Sequence, residues 1–234
     1  MTENPKRPID ALDRMETPGF MAMHHTLYWF YHSLFTLGFS IRMQGERNMP
    51  PTGPALVVAN HQSFFDPLLI GLCARRPLVY VARKTLFKNR FFAAMIRGLN
   101  AVPIDQEGIG KEGIRIVLDQ LSRGRAVVLF PEGERTWDGK MLPLRPGIHL
   151  LIKRTQAPIV PVGIAGAFDA WPRTRVLPIP APVCFPGCAG RLSVALGKPL
   201  DARRFAELPR EQALRELFDK IHDEQVRAEK RRPR

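Results

Sequence analysis

Cysteine is scarce in this sequence. Cys73, Cys184 and Cys188 make an odd three, without the paired spacings of a disulfide scaffold, and a reducing compartment is the simplest setting. Cys184 and Cys188 stand in Val-Cys-Phe-Pro-Gly-Cys, where a structural metal needs two further ligands that the neighbourhood does not offer. No metal and no resident cofactor is therefore expected. A Gly-x-Ser-x-Gly elbow is also missing, which argues against a serine esterase. Residues 1–18 are polar and mix acids with bases, so a secretory signal is not expected there.

Acidic residues are absent from two long stretches. Residues 20–41 hold no Asp, Glu, Lys or Arg, and Phe20, Tyr28, Trp29, Phe30, Tyr31, Phe35 and Phe39 make them densely aromatic. That length can span a bilayer. His24, His25 and His32, with Thr26, Ser33 and Thr36, lower the hydrophobicity, while tyrosine and tryptophan favour the headgroup boundary. An interfacial or re-entrant helix is expected; a helix packed on the domain core is the alternative.

The second acid-free stretch, residues 75–97, carries Arg75, Arg76, Arg83, Lys84, Lys88, Arg90 and Arg97, interleaved with Tyr80, Phe87, Phe91, Phe92, Met95 and Ile96. This suits docking on anionic headgroups, each base adding on the order of 1 kcal/mol. A core helix with a solvated face is the other reading. Over the whole chain, 35 Lys and Arg against 22 Asp and Glu give +13, which favours phospholipid, nucleic acid or a phosphorylated substrate. No helix-turn-helix, zinc-finger or RNA-recognition signature accompanies the bases, so nucleic acid is not the expected partner.

What is present reads as α/β, with a mostly parallel central sheet flanked by helices and an N-terminal apolar membrane-associating helix. Apolar runs at residues 55–59, 78–82, 101–104, 126–130, 159–164 and 191–196 predict strands. Helical spacing falls at residues 67–74, 89–99, 114–121, 147–155 and 207–230. Asp66 suits a helix N-cap with Pro67 in the first turn. Residues 171–190, rich in proline, predict an irregular crossing. Three regions follow: residues 1–45, a polar start and the apolar helix; 46–205, the main domain; and 206–234, a terminal helix with a basic tail.

Two polar segments follow apolar strands, at the sheet edge where α/β proteins place their sites. The first is Asn60-His-Gln-Ser-Phe-Phe-Asp66. An imidazole can take a proton from a hydroxyl near neutral pH, and a carboxylate can hold it in one tautomer. A spacing of five does not share a helix face, but a turn can bring His61 back to Asp66. The plainer reading is a helix cap beside a loop histidine. The second segment is Phe130-Pro-Glu-Gly-Glu-Arg-Thr136, where Arg135 offers a fork of donors to phosphate and Gly133 allows close approach of backbone. A surface pair of Arg135 with Glu132 or Glu134 is the plainer reading here.

Together, in this order, the two segments resemble the glycerolipid acyltransferases, the 1-acylglycerol-3-phosphate acyltransferases in particular. The resemblance runs over residues 56–166, with Ile159-Val-Pro-Val-Gly163 as a further block. It implies transfer of a fatty acyl group from acyl-CoA or an acyl carrier protein thioester to the hydroxyl of a lysophospholipid. His61 would be the general base and Asp66 its partner. Glu132, Gly133, Arg135 and Thr136 would bind the substrate, with Lys84 and Arg145 as further phosphate ligands. The setting it implies is the cytoplasmic face of the inner or plasma membrane. Two departures concern the acceptor headgroup: Ile104-Asp105-Gln106 replaces the family's Ile-Asp-Arg, and Arg145 stands near Gly147 where many members carry a lysine.

Overall fold

The computed structural model describes residues 15, 17–88, 90–104, 110–185 and 187–233. Asp105 and Gln106, and the side chains of Phe91, Phe92 and Met95, lie outside the described residues.

Helix α1 (Pro18–Phe39) starts where the Thr17 side chain accepts the Phe20 amide at 3.3 Å, with proline in its first turn, and stops at Ser40 in a left-handed conformation (φ 50°). It is followed by β1 (Arg42–Gln44), β2 (Ala55–Ala59), α2 (Asp66–Ala74), β3 (Leu78–Arg83), a short 3-10 turn (Lys84–Phe87), α3 (Arg90–Gly98) and β4 (Ala101–Ile104). The second half supplies α4 (Lys111–Ser122), β5 (Ala126–Leu129), α5 (Gly147–Ile152), β6 (Ile159–Ala165), α6 (Ala167–Ala170), β7 (Ser193–Leu196), α7 (Ala202–Glu207) and α8 (Arg210–Arg231).

Among the described residues the strands form one seven-stranded sheet in the order β1-β7-β6-β2-β5-β3-β4. From β6 to β4 every pairing is parallel; β7 runs antiparallel to β6, and β1 lies parallel to β7. The expected α/β class and mostly parallel sheet are what the chain builds. β2, between β6 and β5, is buried along its whole length, as befits a strand covered on both faces.

Alternation along β2 sends Leu56 and Val58 to one core with α4, α5, α7 and α8, and Val57 and Ala59 to the other with α1 and α2. Helix α8 lies so close to β6 that a Cβ added at Gly163 would overlap the backbone of Glu224 and Gln225. The sheet thus begins before residue 46, at β1, and its covering layer extends past residue 206 through Leu217 and Ile221 of α8.

Helix α1 shares features of both readings made for it. Phe20, Phe35 and Phe39 are buried against the domain, while Met23, Leu27, Phe30, Leu34 and Leu37 face solvent. No helix of the described residues is long and apolar enough to cross a membrane.

Candidate active site

Strand β2 leads directly into Asn60, which is buried and clamped to the neighbouring strand: its Nδ2 donates to the Ile164 carbonyl at 3.0 Å and its Oδ1 accepts the Ile164 amide at 2.7 Å. This pair of bonds fixes the point from which His61 departs. The chain then turns tightly. Phe65, not Asp66, occupies the N-cap position of α2, and Asp66 opens the helix with its carboxylate folded back over the turn. Oδ2 accepts the Gln62 amide at 2.6 Å and the Ser63 amide at 2.8 Å, and lies 2.8 Å from His61 Nδ1. The cap expected of Asp66 is thus a brace of the preceding loop, because the carboxylate serves amides upstream of the helix instead of those within it.

Asp66 is fully buried, at the positive end of α2. Its other oxygen, Oδ1, is buried with no hydrogen-bond partner. An ionised carboxylate only accepts, so the bond at Nδ1 puts the imidazole proton there and leaves Nε2 its lone pair. The ring stacks on Phe130 with centroids 3.9 Å apart and planes 15° from parallel, keeping part of its surface open to solvent.

The second loop is stitched to the first by backbone. The His61 amide donates to Glu132 Oε1 at 2.6 Å, and the His61 carbonyl accepts the Thr136 amide at 2.9 Å. Glu132 Oε2 accepts the Leu142 amide at 2.6 Å. Each carboxylate oxygen therefore accepts a backbone amide and the residue is buried, so the structure turns Glu132 inward as a tie between loops. Burial pushes its pKa up to about 8, against the pull of the two amide bonds, and the nearby Asp66 adds to the rise.

Thr136 is also committed internally, its hydroxyl donating to Asp138 at 3.0 Å. Gly133 has φ 81°, a left-handed conformation that suits glycine, and an added Cβ would press on the Arg145 side chain at 3.1 Å.

Arg135 stands apart from these braces. Its guanidinium lies 3.5 Å from the centroid of the Phe64 ring, and its Nη1 is buried without a hydrogen-bond partner. Burial lowers its pKa, as do the charges of Arg173 and Arg83, while Asp66 opposes them. Arg173 bonds to the Arg135 carbonyl at 3.0 Å and sits over the Trp137 ring at 3.5 Å. Arg83 donates to the Gly133 carbonyl at 2.7 Å. Glu134 bridges Arg173, at 3.1 Å, and Arg145, at 3.6 Å. Lys84 pairs with Glu112, near the start of α4, at 3.6 Å.

The His61–Asp66 pair and the partly desolvated Arg135 guanidinium thus stand on two loops that hydrogen bonds join. The family model described as Acyltransferase matches residues 40–165, a span containing both loops. The chain belongs to the acyltransferase family. This acyltransferase is 23% identical over 190 residues to the 1-acyl-sn-glycerol-3-phosphate acyltransferase of Bacillus subtilis (strain 168), covering 81% of this chain and 88% of that one. It is 32% identical over 150 residues to 1-acyl-sn-glycerol-3-phosphate acyltransferase alpha of Homo sapiens, covering 59% of this chain and 50% of the human one. Among solved structures, the 1-acyl-sn-glycerophosphate (LPA) acyltransferase PlsC from Thermotoga maritima superposes with a TM-score of 0.72 at 25% identity, over 94% of this chain and 86% of that chain.

Arg83, named in the sequence only among the bases of the acid-free stretch, and Arg173, not named there, are the cations that the fold adds around Arg135. Arg83 ends β3, among the basic residues of the acid-free stretch, and its position at a strand terminus was a usable signal. Arg173 belongs to the proline-rich crossing, where nothing local marks it; only the tertiary fold brings it to Arg135.

Proposed function

We propose that this acyltransferase moves a fatty acyl group from acyl-CoA or an acyl carrier protein thioester onto the free hydroxyl of 1-acylglycerol-3-phosphate, giving phosphatidic acid. The observation that carries the reading is the His61–Asp66 contact of 2.8 Å beside Arg135, whose buried Nη1 lacks a hydrogen-bond partner. In the reaction, Nε2 takes the proton of the acceptor hydroxyl as its oxygen attacks the thioester carbonyl. The tetrahedral intermediate collapses with loss of the thiolate, which receives that proton from the imidazolium. Asp66 keeps Nδ1 protonated and stabilises the charged ring, with no acyl-enzyme intermediate. Arg135, with Arg83 and Arg173 adding to its field, receives the phosphate; a guanidinium fork matches that group in shape and charge.

Two features support work at a membrane surface: the acid-free α1 with its exposed apolar stripe and the net charge of +13. The cytoplasmic face of the inner or plasma membrane is the setting this reading assigns. The test is thiol release from acyl-CoA with a panel of lysophospholipid acceptors. Lysophosphatidate is expected to be the preferred acceptor. His61→Ala is expected to lose on the order of 10²–10⁴-fold in rate while retaining its circular-dichroism spectrum. Unchanged turnover in that variant removes His61 from the mechanism, and preference for another headgroup removes lysophosphatidate as the acceptor.

A further inference from the structure

The crossing between α6 and β7 hides less of itself than its composition leads one to expect. Residues 171–190 contain no acid, yet Val176, Leu177, Val183 and Phe185 are 87, 72, 59 and 63% exposed. Single apolar residues on a surface are ordinary; a run of them is the mark of a contact face. This run is continuous with another. The Ala181 amide donates to the Gly38 carbonyl at 2.8 Å, the Val183 amide to the Leu37 carbonyl at 3.3 Å, and the Ser40 hydroxyl to the Ala181 carbonyl at 2.8 Å. The crossing therefore lies along the last turn of α1, next to Leu37, from which the exposed stripe runs back through Leu34 and Phe30 at helical spacing.

The inner end of the same crossing reaches the reactive centre. Trp171 packs 5.0 Å from Phe64 and 4.9 Å from Phe65, ring to ring, and its carbonyl accepts the Ser63 hydroxyl at 2.7 Å. Arg173 and Arg175 flank the apolar tip, so the face is apolar with a basic border and holds no acid of its own. Charge complementarity selects an anionic phospholipid surface as its occupant.

We propose that residues 176–185 form a second membrane-inserting element, which docks beside α1 on an anionic bilayer and sets the His61 pocket at headgroup level. The proposal rests on the reading that α1 lies on a bilayer, and extends it to a segment that shares none of its sequence. Lysophospholipid then reaches Arg135 by sliding along the crossing instead of leaving the membrane.

The native thiols supply the probe. Cys184 lies within the crossing and is exposed, whereas Cys73 is buried and its thiol pKa is pushed well up by burial. With Cys188→Ser, an environment-sensitive fluorophore on Cys184 reports on the crossing alone. On vesicles of phosphatidylglycerol and phosphatidylcholine, its emission is expected to shift to the blue and to be quenched by spin-labelled lipid. Val176→Ser combined with Leu177→Ser and Phe185→Ser is expected to lower vesicle partitioning at least tenfold without changing the circular-dichroism spectrum. Flotation of the protein with an unquenched label, or partitioning unchanged in the triple variant, overturns insertion of the crossing and leaves α1 as the membrane element. Failure of the protein to float overturns both. A concentration-dependent dimer that shields Cys184 without lipid assigns the face to a second copy of the chain and overturns the proposal as well.

Discussion

The His61 ring is held by Asp66 at Nδ1 and by Phe130 stacked on its face, while Glu132 holds the backbone amide of the residue. Only the Nδ1 contact decides where the proton resides. In Asp66→Asn the side-chain carbonyl at the Oδ2 position can still accept the Gln62 and Ser63 amides and the Nδ1 proton, but it is uncharged, and the NH2 group takes the buried Oδ1 position, where it meets no acceptor. The proposed imidazolium then has no counter-charge at Nδ1. A fall in kcat of about 10²–10⁴-fold with little change in acceptor KM is expected from steady-state thiol release, because the charge that steadies the ring, and not the phosphate contact, has changed. At this scale the sequence allowed a turn to bring His61 back to Asp66, and the 2.8 Å contact at Nδ1 is the result of that turn. The sequence was uninformative about Glu132. A glutamate in a polar loop gives no sign of direction, and both its oxygens face inward because two amides of neighbouring loops need an acceptor.

That tie makes the two loops one unit. Folded Glu132 keeps its proton up to about pH 8, whereas its ordinary carboxyl value is 4.5. Between these two values the folded chain binds the extra proton, so this contribution to stability is complete below 4.5 and is lost as pH rises through 8. The slope is about 1.4 kcal/mol per pH unit. Urea denaturation from pH 5 to 9 is expected to show this decline in the wild type and its absence in Glu132→Gln. Gly163 tests the contact of α8 with β6. Its Cβ has nowhere to go except into the helix backbone, so Gly163→Ala is expected to cost about 2–4 kcal/mol in the same measurement. Long apolar runs made β2, β5 and β6 legible in sequence. β1 was not legible, since three residues show no period, and the antiparallel turn of β7 was not, since strand direction is set by the path of residues 166–192 over the α1 face.

Across the whole molecule, charge and apolar surface act on the same event. With a net +13, vesicle association is expected to weaken steeply as salt rises from about 0.05 to 0.5 M, where the screening length falls below about 5 Å; the residual binding measured by flotation is the share due to the apolar face. The crossing beside α1 carries Pro172, Pro178, Pro180 and Pro182 and is already hydrogen-bonded to Leu37 and Gly38. Proline narrows the backbone freedom of the free chain as well as the bound one. Such a segment enters lipid as a preformed wedge, with no folding step to wait for. Stopped-flow association with vesicles should then follow a single exponential whose rate grows linearly with lipid, a time course that a segment ordering only on arrival would bend toward a plateau.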